Sequence, residues 1–249
     1  MAVVEHFPNL VSSLTEEAVD LDLFARLRLA REGISGRAVF TTSFGLEDQA
    51  ITHAILSQGL DIDITTIDTG RLFSETHDVW AATERRYGYR IKAAFPEQAD
   101  VETLVAEQGT NGFRESIDAR QACCHVRKVV PLNRLLKGAG LWITGLRADQ
   151  SIHRSGALFA NEDLNGRIKV NPLYDWSREE VVAFTQKHAI PTNALHERNY
   201  LSIGCAPCTR AIRSGEPERA GRWWWESEGK TECGLHANPL HLSSRSTTP

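Results

Sequence analysis

Short apolar runs alternate with helical patterns between residues 36 and 150, and the runs end in polar turns. GRAVFTTSFG leads into the helical segment LEDQAITHAILSQG, and DIDITTIDTG leads into FSETHDVWAATERRYG. YRIKAAFP and GLWITGLRADQS repeat the apolar part of the pattern. Strands that alternate with helices at this spacing favour a parallel sheet covered on both faces. The sequence therefore predicts an α/β fold, with ligands at the carboxyl ends of the strands.

Three of the polar turns follow strands that such a sheet would bring together. They contain Ser43, Asp68 and residues 144–147. Because the carboxyl ends of parallel strands meet at one edge of a sheet, we expect these turns to share one rim.

Further helices are predicted on either side of this pattern. Residues 10–33 carry apolar positions at helical spacing and end at Gly33, which predicts one or two amphipathic helices. The segment WSREEVVAFTQKHAIP opens with a capping box of Ser177 and Glu180 and stops before Pro191. This segment predicts one more helix.

The composition argues against several classes of protein. With 249 residues, of which 41% are hydrophobic, the chain can bury a sizeable core. A net charge of -4 argues against a nucleic-acid binder and a membrane-surface protein. The acidic amino-terminal segment is unlike a secretory signal, and no apolar run approaches the roughly 18 residues of a membrane span. We therefore expect a cytoplasmic protein that holds any anionic ligand with a local basic cluster.

Four of the five cysteines form two pairs. Cys123 and Cys124 are adjacent in QACCHVRK, and Cys205 and Cys208 form the Cys-x-x-Cys pair of GCAPCTR. In a reducing compartment, thiols more often serve metals or catalysis than structural disulfides. Adjacent cysteines reach two neighbouring atoms of an iron-sulfur cluster more easily than two corners of one zinc site, which favours a cluster. A structural zinc, a redox dithiol and unrelated buried cysteines remain alternatives.

The fifth cysteine, Cys233, lies in TECGLHANPL, shortly before a polar terminal stretch. Cysteines are usually buried as small hydrophobic residues, and a cysteine where no core would shelter it indicates a role in reactivity. We therefore expect Cys233 to act apart from the other four.

Basic residues follow the adjacent cysteine pair. Helical spacing predicts Arg127 one turn after Cys123, and Lys128 one turn after Cys124. These cations would face anionic sulfurs or a bound anion, and the alternative for Lys128 is a solvated surface lysine. Because proline removes a helix donor, the helix is expected to kink or end at Pro131.

The turn TTSFG has the features of a phosphate site. It offers the hydroxyls of Thr42 and Ser43 and the backbone of Gly45 just before a predicted helix, whose first N–H groups attract anions. Many turns between a strand and a helix carry Ser and Gly for conformational reasons alone, which is the alternative.

A second set of candidates for binding an anionic ligand consists of five arginines, namely Arg147, Arg210, Arg213, Arg219 and Arg222. Between residues 205 and 225, four arginines accompany two glutamates, a local surplus of two positive charges. Guanidinium groups bind phosphate and sulfate oxygens with paired hydrogen bonds. A solvated arginine face is the alternative, and the three tryptophans at 223–225 are expected to serve packing.

Seven motifs together carry a family resemblance over nearly the whole chain. They are TTSFGLEDQA, IDTGRLFSET, CCHVRKVVPL, WITGLRADQS, SIGCAPCTR, ERAGRWWWE and ECGLH. In their types and order they resemble the assimilatory adenosine 5'-phosphosulfate reductases, which are sulfonucleotide reductases. The turn TTSFG differs from the Ser-Gly-Gly-x-Asp-Ser pattern of related ATP pyrophosphatases, which argues for a nucleotide with a smaller anionic group than a triphosphate.

The resemblance implies a fold and a reaction. The fold would be Rossmann-like, of the adenine nucleotide alpha-hydrolase type, with a mostly parallel sheet between helices. Cys123, Cys124, Cys205 and Cys208 would hold a 4Fe-4S cluster. The reaction would reduce adenosine 5'-phosphosulfate to sulfite and AMP in sulfate assimilation, through an S-sulfocysteine on Cys233, with electrons from thioredoxin.

The resemblance also implies roles for residues in the motifs. Nucleoside contacts would come from Asp68, Thr69, Gly70 and Arg71, although a tight turn that needs a positive φ at Gly70 is the alternative. Substrate contacts are expected from Gly145, Arg147, Arg210 and Arg213 as well. The strongest family match is to Lys128, Arg219 and Arg222, which would be catalytic by stabilising the charge that grows on AMP. His236 could tune Cys233 or contact thioredoxin, or could be a solvated histidine.

The expected organisation is a single domain over residues 1–236, with helices in 1–35 and the cluster, arginine and catalytic segment in 205–236. Residues 237–249 are predicted to be a disordered tail, and we expect a homo-oligomer with neither nucleic-acid nor membrane partners.

Three other functions remain open at this stage. The closest rival is a reductase of 3'-phosphoadenosine 5'-phosphosulfate or of both nucleotides. An iron-sulfur enzyme that thiolates tRNA and a non-catalytic zinc module are the others.

Overall fold

Six strands form one sheet in the computed structural model, which describes residues 8–226. The helices are α1 (Pro8–Glu17), α2 (Leu23–Gly33), α3 (Leu46–Gln58), α4 (Ser74–Tyr87), α5 (Gln98–Gln108), α6 (Ile117–Cys124), α7 (Val130–Leu135) and α8 (Arg178–Lys187). The strands are β1 (Arg37–Thr42), β2 (Asp63–Ile67), β3 (Lys92–Ala94), β4 (Ala139–Ile143), β5 (Ala160–Glu162) and β6 (Ile168–Val170). Within residues 8–226, no helix combines the length and apolar character that a membrane crossing requires.

The sheet has the order β3-β2-β1-β4-β6-β5, and only the pairing of β5 with β6 is antiparallel. The four predicted strands are confirmed as β1 to β4, whereas the sequence pattern did not reveal β5 and β6, which have three residues each. β2 and β3 lie on one side of β1, whereas β4, β6 and β5 lie on its other side, so the strand order reverses between β1 and β4. This reversal opens a crevice between the carboxyl ends of β1 and β4, where α/β sheets bind ligands.

Apolar side chains pack on both faces of the sheet. Phe40 belongs to a large cluster with Ile51 of α3, whereas its neighbour Val39 packs with Leu132 and Trp142 in a second cluster. Successive residues of a strand point to opposite faces, so β1 is covered on both sides. The predicted α/β class, with a mostly parallel sheet between helices, is confirmed.

The predicted helix boundaries follow from local capping. α3 ends at Gly59, whose φ of 63° lets its N–H reach the carbonyls of Ile55 and Leu56. The capping box before α8 is present, because Ser177 Oγ accepts from the Glu180 N–H and the Glu180 carboxylate accepts from the Ser177 N–H. The two helices predicted before β1 are α1 and α2.

The helix that carries the adjacent cysteines changes its pitch before Pro131. α6 ends at Cys124, a π-helical segment covers His125–Val129, and α7 begins at Val130. Pro131 is the second residue of α7 and follows directly after the π-helical segment, so the change of pitch lies where the proline ring and its missing N–H interrupt regular helical hydrogen bonding. The predicted irregularity is present, but the helix continues past Pro131 instead of ending there.

We predict that the free energy of unfolding decreases as pH falls, because of a histidine pair between α3 and α8. The rings of His53 and His188 lie 4.7 Å apart, and burial, followed by the charges of His188 and Arg86, lowers the pKa of His53. Since the unfolded chain then binds more protons, stability is complete above the ordinary pKa of about 6.5 and is lost as pH falls through it. Urea unfolding of wild type and His53→Gln between pH 8 and 5 measures this slope. An equal slope in both proteins would contradict the assignment.

Candidate active site

One cavity lies at the carboxyl ends of the central strands. Its lining includes Ser43 after β1, Thr69 after β2, and Thr144 and Gly145 after β4. The predicted shared rim is therefore present, with Thr69 in place of its neighbour Asp68. Gly145 lies so close to the next wall that a Cβ there would come within 2.3 Å of Asp48 Oδ1.

The turn TTSFG is held by its own hydrogen bonds. Thr42 Oγ1 accepts from the Phe44 N–H at 3.0 Å, and the Asp48 carboxylate accepts from the N–H and hydroxyl of Ser43 at 2.6 and 2.7 Å. Phe44 has a φ of 61°, an unfavourable value for a residue with a side chain, and its buried ring stacks on Trp80 at 5.5 Å. Thr42, Ser43 and Gly45 all line the cavity, as the sequence predicted.

Two carboxylates of the first turn of α3 also line this cavity, a feature that the sequence did not reveal. Burial raises the pKa of Asp48 to about 6, because the two hydrogen bonds from Ser43 only partly offset the loss of hydration. Burial also raises the pKa of Glu47, but the charge and hydrogen bond of Arg147, with Gln150, bring it below its ordinary value. The cavity thus has an acidic side.

Arg147 is not among the residues that line the cavity, although its neighbour Leu146 is. Its fully buried guanidinium binds Glu47 at 2.8 Å, Glu218 at 2.9 Å and Asp149 at 3.1 Å. A buried guanidinium needs such partners, since an unpaired buried charge is costly. The structure therefore places Arg147 as a bridge between α3 and the segment that carries Glu218, whereas the sequence had pointed to substrate contact.

Four cations line the same cavity, namely Lys128, Arg154, Arg219 and Arg222. The sequence indicated all of them except Arg154, which follows the WITGLRADQS motif and has no pattern of its own. Arg222 is closely confined, because its guanidinium lies over the Trp223 ring at 4.9 Å and a Cβ on Gly204 would approach it to 2.3 Å.

Arg210 and Arg213 are not among the residues that line the cavity. Arg210 donates to the Glu216 carboxylate from Nη1 at 2.8 Å and from Nη2 at 3.0 Å, and the Arg213 backbone N–H donates to the same carboxylate. The hydrogen bond from Arg210 is the main cause that lowers the pKa of Glu216 to about 2. The observed contacts of these two arginines thus stabilise a local turn.

A second, smaller cavity brings the two cysteine pairs together. It is lined by Cys123, Cys124, Cys205 and Cys208, with Trp223 and Phe113 among the other residues. Cys123 is partly exposed and the other three thiols are buried. In the described part of the chain, no three His, Cys, Asp or Glu side chains are close enough to hold a single metal ion.

The electrostatic surroundings of the thiols differ. Burial raises the pKa of Cys205, but Lys128, a contact with the Thr69 hydroxyl at 3.2 Å, and Arg222 outweigh it and lower this pKa overall. Burial, together with the charge of Cys205, raises the pKa of Cys208 to about 12. The cations between the two cavities therefore favour negative charge on Cys205.

The IDTGR turn joins the two cavities. Gly70 has a φ of 70°, as the tight-turn interpretation requires, and the Asp68 carboxylate accepts from its N–H at 2.8 Å. Thr69 lines the larger cavity while its carbonyl accepts from Arg127, and Arg71 lines the cysteine cavity. Lys128, Cys205 and Trp223 belong to both linings. Cys233 and His236 lie outside the described residues.

Comparison with known proteins identifies the family. Residues 37–211 match the phosphoadenosine phosphosulfate reductase domain. A protein of Sinorhizobium fredii named adenosine 5'-phosphosulfate reductase is 56% identical over 90% of this chain and 89% of its own length. One of the same name from Allochromatium vinosum is 48% identical over 89% of this chain and 86% of its own.

A solved structure has the same fold. It is a phosphoadenylyl-sulfate reductase from Candida auris in a phosphate complex, which is 24% identical, covers 83% of this chain and 98% of its own, and aligns with a TM-score of 0.70. With seven tenths of the sequence inside the matched domain, and relatives about half identical over nine tenths of it, the chain belongs to the phosphoadenosine phosphosulfate reductase domain family.

Proposed function

We propose that this protein reduces adenosine 5'-phosphosulfate to sulfite and AMP in sulfate assimilation, with electrons from thioredoxin. The observation that carries the proposal is the shared wall between the two cavities. Lys128 and Trp223 line both, so that a site for a doubly anionic nucleotide adjoins four cysteines. Relatives named for this activity, about half identical over nearly the whole chain, support the same reaction.

The proposed substrate is oriented by the charge distribution of the cavity. Lys128 and Arg222 lie close enough to Cys205 to lower its pKa, so the basic side of the cavity is next to the cysteines. Guanidinium and ammonium groups there would bind the phosphosulfate oxygens. Glu47 and Asp48 also line the cavity, and we propose that they accept hydrogen bonds from the ribose hydroxyls.

The same carboxylates favour adenosine 5'-phosphosulfate over its 3'-phosphorylated form. A further phosphate on the ribose would meet Glu47 and Asp48, and like charges in a partly desolvated cavity repel strongly. We therefore propose selectivity for the nucleotide without the 3'-phosphate. A tRNA-thiolating function has no comparable support, because the chain is acidic and its relatives have another name.

In the proposed first step, the Cys233 thiolate attacks the sulfur of adenosine 5'-phosphosulfate. An S–S bond forms, the S–O bond to the phosphate breaks, and the bonding pair leaves with AMP, so that Cys233 carries a sulfonate. Lys128, Arg219 and Arg222 would stabilise the negative charge that grows on the phosphate oxygens.

The second step transfers two electrons from thioredoxin. One thioredoxin thiolate attacks Sγ of Cys233, sulfite leaves with the electron pair of the S–S bond, and a mixed disulfide forms. The second thioredoxin thiol then displaces Cys233 and leaves oxidised thioredoxin. His236, three residues after Cys233, is proposed to tune this thiol or to contact thioredoxin. Thioredoxin dependence agrees with the cytoplasmic location expected from the sequence. The homo-oligomer expected from the sequence stays a prediction.

The four cysteines of the smaller cavity fit a 4Fe-4S cluster. A cluster takes one thiolate at each iron, and all four cysteines line this one cavity. When bound, the cluster would supply fixed charge beside the phosphosulfate and hold the two cysteine segments together. The residues Lys128, Thr69 and Arg127 would surround it from the nucleotide side.

Replacement of the nucleophile tests the first step. Cys233→Ser is expected to abolish sulfite release, because a hydroxyl does not form the S–S bond, while iron content and AMP affinity stay unchanged. Mass mapping of wild type after anaerobic incubation with substrate should show the added sulfonate on Cys233. Sulfite release by the variant, or an adduct on another residue, would contradict the mechanism.

A carboxylate replacement tests the selectivity. Asp48→Asn is expected to improve binding of the 3'-phosphorylated nucleotide about 10-fold, equal to about 1.4 kcal/mol, with a smaller effect on adenosine 5'-phosphosulfate. Because burial raises the pKa of Asp48 to about 6, discrimination by wild type should weaken as pH falls through 6, and this dependence should disappear in the variant. Calorimetric titration of wild type and variant with both nucleotides from pH 5 to 8 measures this pH dependence. Asp149→Asn, which removes a mostly exposed carboxylate outside the cavity lining, is the control.

A glycine replacement tests the arginine wall. In Gly204→Ala the new Cβ would come within 2.3 Å of Arg222 Nη2 and displace the guanidinium. AMP affinity is expected to fall about 10-fold, as one charged hydrogen-bond partner is lost, while adenosine affinity stays constant. Gly156→Ala is the matched control, since nothing lies within 4 Å of its Cβ. Equal AMP affinities for the two variants would refute the role of Arg222.

A further inference from the structure

A buried ion pair ties the end of the described chain to the cysteine-bearing helix. Arg120 of α6 is fully buried and donates to Glu226 from Nε at 2.7 Å and from Nη2 at 3.1 Å, and the Glu226 side chain is 4% exposed. The guanidinium also lines the cysteine cavity. Because two parallel hydrogen bonds fix both planes, Glu226 sets the orientation of Arg120.

Arg120 in turn contacts the tryptophan that separates the two cavities. Its guanidinium lies over the Trp223 ring at 4.5 Å from the centroid. Trp223 is 1% exposed and has a φ of 43°, which a residue with a side chain adopts only when its surroundings hold it there. The contact with Arg120 is the shortest of the three cation contacts to this ring.

The other two cations over the ring belong to the nucleotide cavity. Arg222 lies 4.9 Å and Arg219 5.9 Å from the Trp223 centroid, and both line the larger cavity. The contacts therefore form a continuous series from Glu226 through Arg120 and Trp223 to the basic wall. A shift of the indole would move the surface against which both arginines pack.

We propose that Arg120 and Glu226 are a positioning pair for nucleotide binding. They hold the Trp223 indole, and through it they hold Arg219 and Arg222 at the place where the anionic group of the nucleotide binds. This inference rests on the proposed function, because it requires an adenine nucleotide in the larger cavity. The buried pair would thus position the anion-binding arginines in addition to stabilising the fold.

The main test compares a charged and an uncharged ligand. In the full-length Glu226→Gln variant, we expect calorimetry to show a 5- to 10-fold loss of AMP affinity and no change in adenosine affinity. A merely structural pair would lower the melting temperature and leave the ratio of the two affinities unchanged.

The control removes the partner of another buried arginine. Arg26 is 3% exposed and binds Asp175, whose side chain is 39% exposed, at 2.6 Å, and neither residue lines the larger cavity. Asp175→Asn should lower the melting temperature and keep the AMP-to-adenosine ratio of wild type. A similar change of this ratio in both variants would overturn the proposal.

A double-mutant cycle identifies the path of the effect. If Glu226 acts through Arg222, Glu226→Gln should cause less than a 2-fold further loss of AMP affinity when Arg222 is already alanine. Full additivity would overturn the path through Arg222.

A charge-free pair covers the case in which Glu226→Gln does not fold. The double variant Arg120→Met/Glu226→Met buries no unpaired charge and should fold. The proposal expects its AMP-to-adenosine ratio to be lowered, since no guanidinium holds the indole, and a wild-type ratio would overturn it. Wild-type protein that binds neither ligand would overturn the proposed function together with this inference, whereas normal wild-type binding with an unchanged variant ratio would overturn only the positioning pair.

Discussion

The parallel pairing of β1 with both β2 and β4 is the constraint on which the two sites depend. Thr42 pairs with Thr66, and Phe40 pairs with Ile143, so that the polar turns after these strands leave the sheet at the same edge. The strand order reverses between β1 and β4, which keeps the loops after them apart and leaves a crevice. The TTSFG turn, the IDTGR turn and Gly145 meet for this reason, although about a hundred residues separate the first from the last.

The distribution of charge in the crevice depends on which arginines are bound to acidic side chains. Arg147 is bound to Glu47 and Glu218, and Arg120 is bound to Glu226, so these cations belong to the protein interior. Lys128 and Arg222 instead act on Cys205, where they favour a negative sulfur. An acidic protein thus holds a basic surface at one place, beside its cysteines.

The sequence predicted the parts of this arrangement that depend on local patterns. Strand-turn-helix alternation gave β1 to β4 and the rim, and the cysteine spacing gave four residues that do line one cavity. It could not sort the arginines, because Arg147 and Arg222 have equally plausible motifs and differ only in long-range partners. Glu47 is a comparable case: it reads as an ordinary first-turn acid of a helix, and its place in the cavity depends on Arg147, one hundred residues away.

The wall between the cavities connects the cysteine site to the residues that face the larger cavity. The Thr69 hydroxyl contacts Cys205 Sγ and the Thr69 carbonyl accepts from Arg127, while the residue also lines the larger cavity. Trp223 is bounded by a cation from the cysteine side and by two from the nucleotide side. Lys128, Cys205 and Trp223 line both cavities, so the two sites share these side chains. In the proposed chemistry a protein dithiol supplies both electrons, and the shared wall would give the cysteine site an organising role.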